Sequence, residues 1–302
     1  MSHAIIIPIY CENRNTIILC NELQNFGAEH IVVVNDGLNP KSEYFNELTS
    51  IGCHLVHLKN NNGKGASLKA GIKYAHDNLY NITGYITCDA DGQHTANDVM
   101  KISRMLDLRN GSLILGKRDY KKSKMPINIR IGNRLSSAYF KVITGKSCRD
   151  TQTGLRGIPA FLYDTVMKTK GSRFDFEMNF LTKCADMRVP FYFVNIIADC
   201  SNCSSNFRLI KDTYLIYRTP LRFATASIGC TIIDLVLFTI FAYILPSHMF
   251  FNIMLATLMA RVVSGGINFL INRKVIFGNT DNGAKQALRF FILFFCIMCA
   301  SS

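Results

Sequence analysis

Asp89-Ala90-Asp91-Gly92-Gln93 places two carboxylates and an amide at i, i+2 and i+4, directly after the apolar run Gly84 to Cys88. In an extended segment alternate side chains share a face, so these three oxygen-bearing groups can converge where a strand ends. Hard divalent cations such as Mg²⁺ and Mn²⁺ take carboxylate and amide oxygens and fill the rest of their shell with substrate phosphates. Asp89, Asp91 and Gln93 are therefore candidate metal ligands. A solvated turn after a strand uses the same residue types, so the triplet alone leaves both readings open.

The elements around it favour the first. Ala4 to Ile9, Ile31 to Val34, His54 to Leu58 and Gly84 to Cys88 read as strands. Helical stretches separate them at Thr16 to Phe26, at Tyr44 to Ile51 and from Asn61-Asn62-Gly63-Lys64-Gly65 to about Leu79. This alternation predicts a mostly parallel α/β sheet flanked by helices on both faces. Ligands in such sheets bind at the carboxyl ends of the strands. Tyr10, Glu12, Asn35, Asp36, Asp89, Asp91 and Gln93 would all stand on that rim, as a metal-nucleotide site requires. The Asn-Gly-Lys-Gly turn could cradle a phosphate. It lacks the Walker and dinucleotide glycine spacings, which disfavours kinase and dehydrogenase chemistry.

A further strand at Leu113 to Gly116 leads into the basic stretch Lys117, Arg118, Lys121, Lys122, Lys124, Arg130, Arg134 and Lys141. From Ile127 to Thr144 the apolar Ile131, Leu135, Ala138, Tyr139 and Val142 recur at helical spacing beside a stripe of Arg130, Arg134 and Lys141. Such a helix either lies among lipid headgroups or packs on a core with its basic face in water. Periodicity does not separate the two. Phe207 to Arg218 repeats the pattern just ahead of two apolar stretches, Phe223 to Leu245 and Met249 to Ile271, each long enough to cross a bilayer. Each stretch carries one charge, Asp234 and Arg261, and intramembrane charges normally pair. Pro246-Ser247-His248 has no basic residue, whereas Arg273, Lys274, Lys285 and Arg289 follow the second stretch. The positive-inside rule then places that later segment and the N-terminal domain in the cytoplasm. A third apolar run, Phe290 to Ala300, stops near the end of the chain. At about 16 Å of helix it is shorter than a span, so this segment reads as truncated or partly inserted.

Composition agrees with two regimes in one chain of 302 residues, since the apolar residues concentrate towards the C-terminus. A net charge of +13 fits an anionic membrane surface or phosphorylated substrates. Nucleic acid is disfavoured, because no helix-turn-helix, zinc-finger or aromatic RNA-binding signature is present. The 11 cysteines are scattered, as in a reducing compartment, and Cys200-x-x-Cys203 reads as structural. Met1-Ser2-His3 leads straight into a strand without a signal peptide.

Ile7-Pro8-Ile9-Tyr10-Cys11-Glu12, Val34-Asn35-Asp36-Gly37, Asn62-Gly63-Lys64-Gly65, the Asp89 to His94 segment and Asp150-Thr151-Gln152-Thr153-Gly154-Leu155-Arg156 occur in this order. Together they resemble the inverting family 2 glycosyltransferases, in the polyprenyl-phosphate (dolichol-phosphate mannosyltransferase-like) branch. Arg222-Phe223 and Asn268 to Arg273 resemble the boundaries of a GtrA-like membrane module. The resemblance implies a GT-A domain over 1–218 with interfacial helices at about 127–144 and 207–218, and a membrane domain over 219–302. It implies transfer of a hexose or N-acetylhexosamine from a nucleotide-diphosphate sugar to a polyprenyl phosphate, by a multi-pass membrane protein with a cytoplasmic catalytic domain.

Carried onto this sequence, Pro8, Tyr10, Glu12 and Asp36 would hold the nucleoside. Lys64, Asp89, Ala90 and Asp91 would meet the rest of the donor, with Mg²⁺ or Mn²⁺ on Asp89, Asp91 and Gln93. Arg118, Arg130 and Arg134 would bind donor or acceptor phosphates, and Ser205 and Arg208 would face the lipid phosphate. The catalytic set is then Asp89, Asp91, Arg118 and Arg130. His94 is expected beside the metal ligands. Asp150 and Glu177 either orient the acceptor, close a loop, or are carboxylates at the edge of the core. Competing readings are a processive polysaccharide synthase, whose relatives carry Gln-x-x-Arg-Trp where this chain has no tryptophan at all, and a non-catalytic subunit that flips lipid-linked sugar. A homo-oligomer is compatible with each.

Overall fold

A computed structural model describes residues 3–118, 127–197, 209–245 and 250–271. The chain divides into two compact units, Met1–Thr213 and Tyr214–Ser302. In the first, β1 (His3–Ile9), β2 (His30–Asp36), β3 (His54–Leu58), β4 (Gly84–Thr87), β5 (Leu113–Arg118), β6 (Arg156–Pro159) and β7 (Phe191–Ile196) form one sheet in the order β3-β2-β1-β4-β6-β5-β7. β1, β2, β3 and β4 pair in parallel, as does β5 with β7. β6 runs antiparallel to both its neighbours.

The central strands β1, β2 and β4 are buried along almost their whole length because both sheet faces are covered. Ile5, Ile7 and Ile9 of β1 join Ile31 and Val33 of β2 in one core. Its helical cover includes α1 (Arg14–Asn25), α2 (Glu43–Ser50) and α4 (Ala96–Leu108). The alternate residues Ala4, Ile6, Val32 and Val34 enter a second core with α3 (Lys64–Asn78), α5 (Ile127–Thr144), α6 (Tyr163–Lys168) and α7 (Phe174–Asp186). One two-residue period thus builds both layers.

The antiparallel β6 is absent from the sequence reading and matters most for the site. Its first residue, Arg156, is in register with Thr87 at the end of β4 and Leu115 of β5. The loop leading into it therefore arrives at the same rim on which β1, β2 and β4 end.

Helix α5 spans the predicted residues. It buries Asn133, Ser136 and Phe140, while Ile131, Leu135, Val142 and Ile143 are exposed. Arg130, Arg134 and Lys141 are exposed as well. The apolar stripe is not the one packed on the core.

The second unit holds α9 (Phe250–Ile271) and α8 (Leu209–Ile244) from Tyr214 onward, with the apolar windows Thr225–Ile244 and Asn252–Ile271, each long enough to cross a membrane. The separate helix expected at 207–218 is merged into α8. That helix runs on through Pro220, which has no N–H to offer the carbonyl of Ile216. Small residues Ala256, Ala260 and Ser264 are buried along α9, the usual means of close helix approach in lipid. Asp234 accepts a hydrogen bond from the Ser264 hydroxyl at 2.7 Å. Asp234 and Arg261 line one cavity of about 230 Å³. Ile228, Ile232, Leu235 and Val236 remain exposed, an apolar surface suited to hydrocarbon.

Candidate active site

The loop after β4 is fixed from α1. The Thr16 hydroxyl donates to the Ala90 carbonyl at 3.0 Å, and the Asn15 amide donates to that of Asp91 at 3.4 Å. Gly92 turns the chain at φ +86°, so the side chains of Asp89, Asp91 and Gln93 stay close. One Asp89 oxygen lies 2.6 Å from Lys64 Nζ. The other accepts from Gln93 Nε2 at 2.6 Å and lies 3.6 Å from His94 Nε2. Burial pushes the Asp89 carboxyl upward, but Lys64 and His94 more than offset it and hold it well below the usual carboxylate range. Asp91 behaves in the opposite way. Burial and the charge of Asp89 raise its carboxyl, and the backbone N–H of Gln93 at 3.1 Å opposes them only partly.

Lys64 begins α3 and is aimed by two glycines. Gly63 has φ +95°, and a Cβ there would sit 2.7 Å from Arg173 Cγ and 2.8 Å from the Ser172 carbonyl. A Cβ on Gly65 would sit 2.5 Å from that of Phe176. The start of α3 is thereby pressed against the start of α7, and Lys64 Nζ reaches Glu177 Oε1 at 3.2 Å as well as Asp89. The Gly-Lys-Gly turn is a close-packing device. Asp36 supports it, accepting the N–H groups of Asn62 at 2.8 Å and Gly63 at 2.9 Å where the positive end of the α3 dipole favours an anion.

The loop before β6 completes the rim. Asp150 is fully buried and forks onto Arg118, with Nε at 2.7 Å and Nη2 at 2.8 Å. Arg156, also buried, donates to the carbonyls of Thr153, Thr151 and Glu177. Gly154 packs directly on Asp89: an added Cβ would lie 2.1 Å from Asp89 Oδ2.

The structure thus brings Lys64, Asp89, Asp91, Gln93 and, behind them, Asp36 into one cluster, with Ala90 in its loop. The surroundings of the other expected site residues are as follows. Pro8 is buried within β1, so its side chain packs in the sheet. Both Asp36 oxygens are taken by backbone N–H groups, so it anchors the turn ahead of Lys64. Two guanidinium nitrogens of Arg118 bond to Asp150 and so tie this arginine to the loop before β6. Gln93 presents its amide nitrogen to Asp89.

Tyr10 is half-buried at the end of β1, and Glu12 is exposed and lines an open cavity of about 470 Å³ with Asn13, Arg14, Ser42 and Tyr44. Arg130 and Arg134 are exposed on α5, whereas Ser205 and Arg208 lie outside the described residues. Sequence reasoning gave Glu177 only an open role and missed Gly154. The signal for Glu177 is a carboxylate flanked by Phe176 and Met178. That for Gly154 is only its place between Thr153 and Leu155.

Residues 4–164 match the family described as glycosyl transferase family 2. The chain is a family 2 glycosyltransferase. Residues 222–302 match the GtrA/DPMS transmembrane domain, so this transferase is a membrane protein. It is 32% identical over 188 residues to an uncharacterised protein of Methanocaldococcus jannaschii, covering 59% of this chain and 73% of the relative. It is 28% identical over 172 residues to the UDP-N-acetylglucosamine–dolichyl-phosphate N-acetylglucosaminyltransferase of Methanococcus voltae, covering 50% of this chain and 67% of that one. Among solved structures, glucosyl-3-phosphoglycerate synthase from Mycobacterium tuberculosis superposes with a TM-score of 0.53 at 13% identity. That superposition covers 73% of this chain and 77% of the synthase, and it shows a shared GT-A fold.

A divalent cation fits the transferase's residues in one particular way. Among the described residues, no three His, Cys, Asp or Glu side chains converge to cage a metal. Asp89 and Asp91 nonetheless place two carboxylates in one loop, and the raised Asp91 carboxyl is the condition that a nearby cation reverses. This donor set suits a cation that brings most of its ligands with the substrate, as Mg²⁺ and Mn²⁺ do with diphosphates.

Proposed function

We propose that the transferase moves a hexose or N-acetylhexosamine from a nucleotide-diphosphate sugar to a polyprenyl phosphate at the cytoplasmic membrane face, inverting the anomeric centre. The outward apolar and basic stripes of α5 carry this reading. Ile131, Leu135 and Val142 would enter the headgroup layer while Arg130 and Arg134 meet phosphates, each basic residue adding about 1 kcal/mol on an anionic surface. The helix belongs to the same unit as the Asp89 cluster and is bonded to the loop that packs on it. Support also comes from the Methanococcus voltae relative, named for a dolichyl-phosphate acceptor, and from the mycobacterial synthase, described with Mn²⁺ and UDP-glucose.

In this reading Asp89 and Asp91 would hold Mg²⁺ or Mn²⁺. When bound, the cation neutralises the diphosphate charge that grows as the donor breaks. The remaining chemistry is set by the chain. Lys64 stands beside Asp89, where it can meet a donor phosphate. Arg118 and Asp150 fix the loop that positions Asp89, and Arg130 and Arg134 bring up the acceptor, with Ser205 and Arg208 assigned to the same phosphate.

An oxygen of the acceptor phosphate forms the new bond to the anomeric carbon, and the bond from that carbon to the β-phosphate oxygen breaks, releasing the nucleoside diphosphate. The nucleophile arrives ionised, so no side chain has to take a proton from it. The site is consistent with that economy, since Asp89 is already engaged by Lys64, Gln93 and His94. Full-length protein incubated with radiolabelled UDP-glucose, UDP-GlcNAc or GDP-mannose, with and without undecaprenyl phosphate, tests the proposal. A lipid-dependent labelled product is expected from one donor, and its absence with all three refutes the reading.

A further inference from the structure

Lys64 occupies the place that a cation on Asp89 would contest. Its Nζ is 2.6 Å from Asp89 Oδ1, and among the described residues its other carboxylate contact is Glu177 Oε1 at 3.2 Å. The latter oxygen is buried and has no aligned hydrogen bond among the described residues. Arg156 Nη2 approaches it only to 3.9 Å. A buried carboxylate oxygen left without a donor is costly, and Lys64 is the near donor that could satisfy it. The backbone beneath Lys64 is fixed by Asp36 and by the Gly63 and Gly65 contacts with α7, so the ammonium can pass from one carboxylate to the other by side-chain rotation alone. Charge favours that motion once a second cation arrives, because an ammonium and a divalent ion sharing one carboxylate repel each other strongly at such separations.

We propose that Lys64 is a resident counter-ion which a divalent cation displaces from Asp89 onto Glu177, so that Lys64 and Glu177 together set the affinity of the metal site. Lys64 places and neutralises Asp89 while the site is empty. Glu177 is a positioning residue that lowers the cost of vacating it. The inference rests on the metal-diphosphate reading above, but its test measures binding and not turnover.

Mn²⁺ is titrated into full-length protein in detergent without nucleotide, and the free ion is followed by electron paramagnetic resonance. Lys64→Gln should bind Mn²⁺ about tenfold more tightly than the parent, because the competing charge is gone. Glu177→Gln should bind it about fivefold more weakly, because Lys64 has lost its second seat. In the Lys64→Gln background the same Glu177 change should cost less than about twofold, the non-additivity that a shared interaction produces.

Unchanged or weaker binding by Lys64→Gln overturns the inference. So does a Glu177→Gln effect of equal size in both backgrounds. If Lys64→Gln does not fold, Lys64→Arg replaces it: the guanidinium fork grips a carboxylate harder, so weaker Mn²⁺ binding is expected and unchanged or tighter binding is refuting. Saturable Mn²⁺ binding by the parent without the expected changes defeats this inference alone. No saturable binding by any variant defeats the metal reading together with it.

Discussion

Gly154 gives the most direct test of how the site is assembled, because the perturbation is a single methyl group. A Cβ there would fall 2.1 Å from Asp89 Oδ2 and 2.5 Å from Oδ1, whereas an ordinary contact needs about 3 Å or more, so one side must retreat by about 1 Å. Neither side is free to do so. The Gly154 carbonyl accepts the Thr87 hydroxyl at 2.7 Å, and Thr153 and Leu155 on either side are buried. Asp89 is held at 2.6 Å by both Lys64 and Gln93. Overpacking of this kind costs about 1–3 kcal/mol of stability, which a domain with two large cores should survive. A 1 Å displacement of a reacting geometry costs on the order of 10²-fold in rate. Gly154→Ala should therefore melt as a folded protein while losing about 10²-fold in donor turnover, with weakened Mn²⁺ binding measured in parallel. Gly132→Ala is the control: its Cβ would meet only the Gln152 amide at 3.7 Å, and alanine in a helix gains about 0.5–1 kcal/mol over glycine. Parental turnover and Mn²⁺ affinity in Gly154→Ala would refute the packing argument.

Asp91→Asn should reduce metal-dependent turnover by at least about 10²-fold without moving the pH profile, since neither carboxylate serves as the base; steady-state rates across pH check both parts. Leu135→Asp and Arg134→Ala should raise KM for the lipid acceptor severalfold and leave KM for the nucleotide sugar within about twofold, with the Arg134 effect shrinking as salt is added. Asp150→Asn leaves the Arg118 guanidinium buried without its counter-charge and should cost about 3–5 kcal/mol, read as a lowered unfolding midpoint. His3 is buried between Ser103 and Asp107 at 2.8 and 3.2 Å. Burial lowers its pKa more than Asp107 raises it. The unfolded chain thus binds the proton first, and this residue's contribution is complete above about pH 6.5 and lost as pH falls through the depressed value. Melting curves from pH 7.5 to 5 should show that loss, and His3→Gln should flatten it.

The parts of the fold that were legible in the sequence are those that repeat locally. Ile5, Ile7 and Ile9 alternate with Ala4 and Ile6, which is enough to specify a strand covered on both faces. The span from Ile127 to Thr144 follows from helical periodicity, but periodicity does not say which stripe faces inward. Phe140 supplies most of the apolar anchor, with Asn133 and Ser136 bonding to the neighbouring loop, and that frees the longer apolar stripe for the outside. Strand β6 escaped notice because four residues beginning with an arginine carry no alternation; its strand character comes from neighbours on both sides. Asp89 and Asp91 were visible from their spacing. The pairing of Lys64 with Glu177 was not, since it depends on two glycines that let distant helix starts touch. The pairing of Arg118 with Asp150 was hidden for a related reason. A basic residue at a strand end looks open to phosphate until the carboxylate that occupies it is brought up by the fold.

On the proposed function, the segment from Arg149 to Arg156 would let a reaction between a soluble donor and a lipid acceptor run with little machinery. On one side Asn133 and Ser136 of α5 bond to it, through the Arg149 carbonyl at 3.4 Å, the Thr151 N–H at 3.2 Å and the Thr151 hydroxyl at 2.9 Å. On the other side Gly154 abuts Asp89, and Asp150 clasps Arg118 at the end of β5. Asp150, Thr151, Thr153, Leu155 and Arg156 are all buried, so the segment behaves as part of the core although it has no regular structure for most of its length. On that reading, a helix for the headgroup plane and a carboxylate cluster for a diphosphate would thereby be held at a fixed separation. For an acceptor that arrives already ionised, fixing that separation and alignment is the main contribution left for the protein, and it is the one for which about 7–11 kcal/mol of barrier reduction is available from orientation alone.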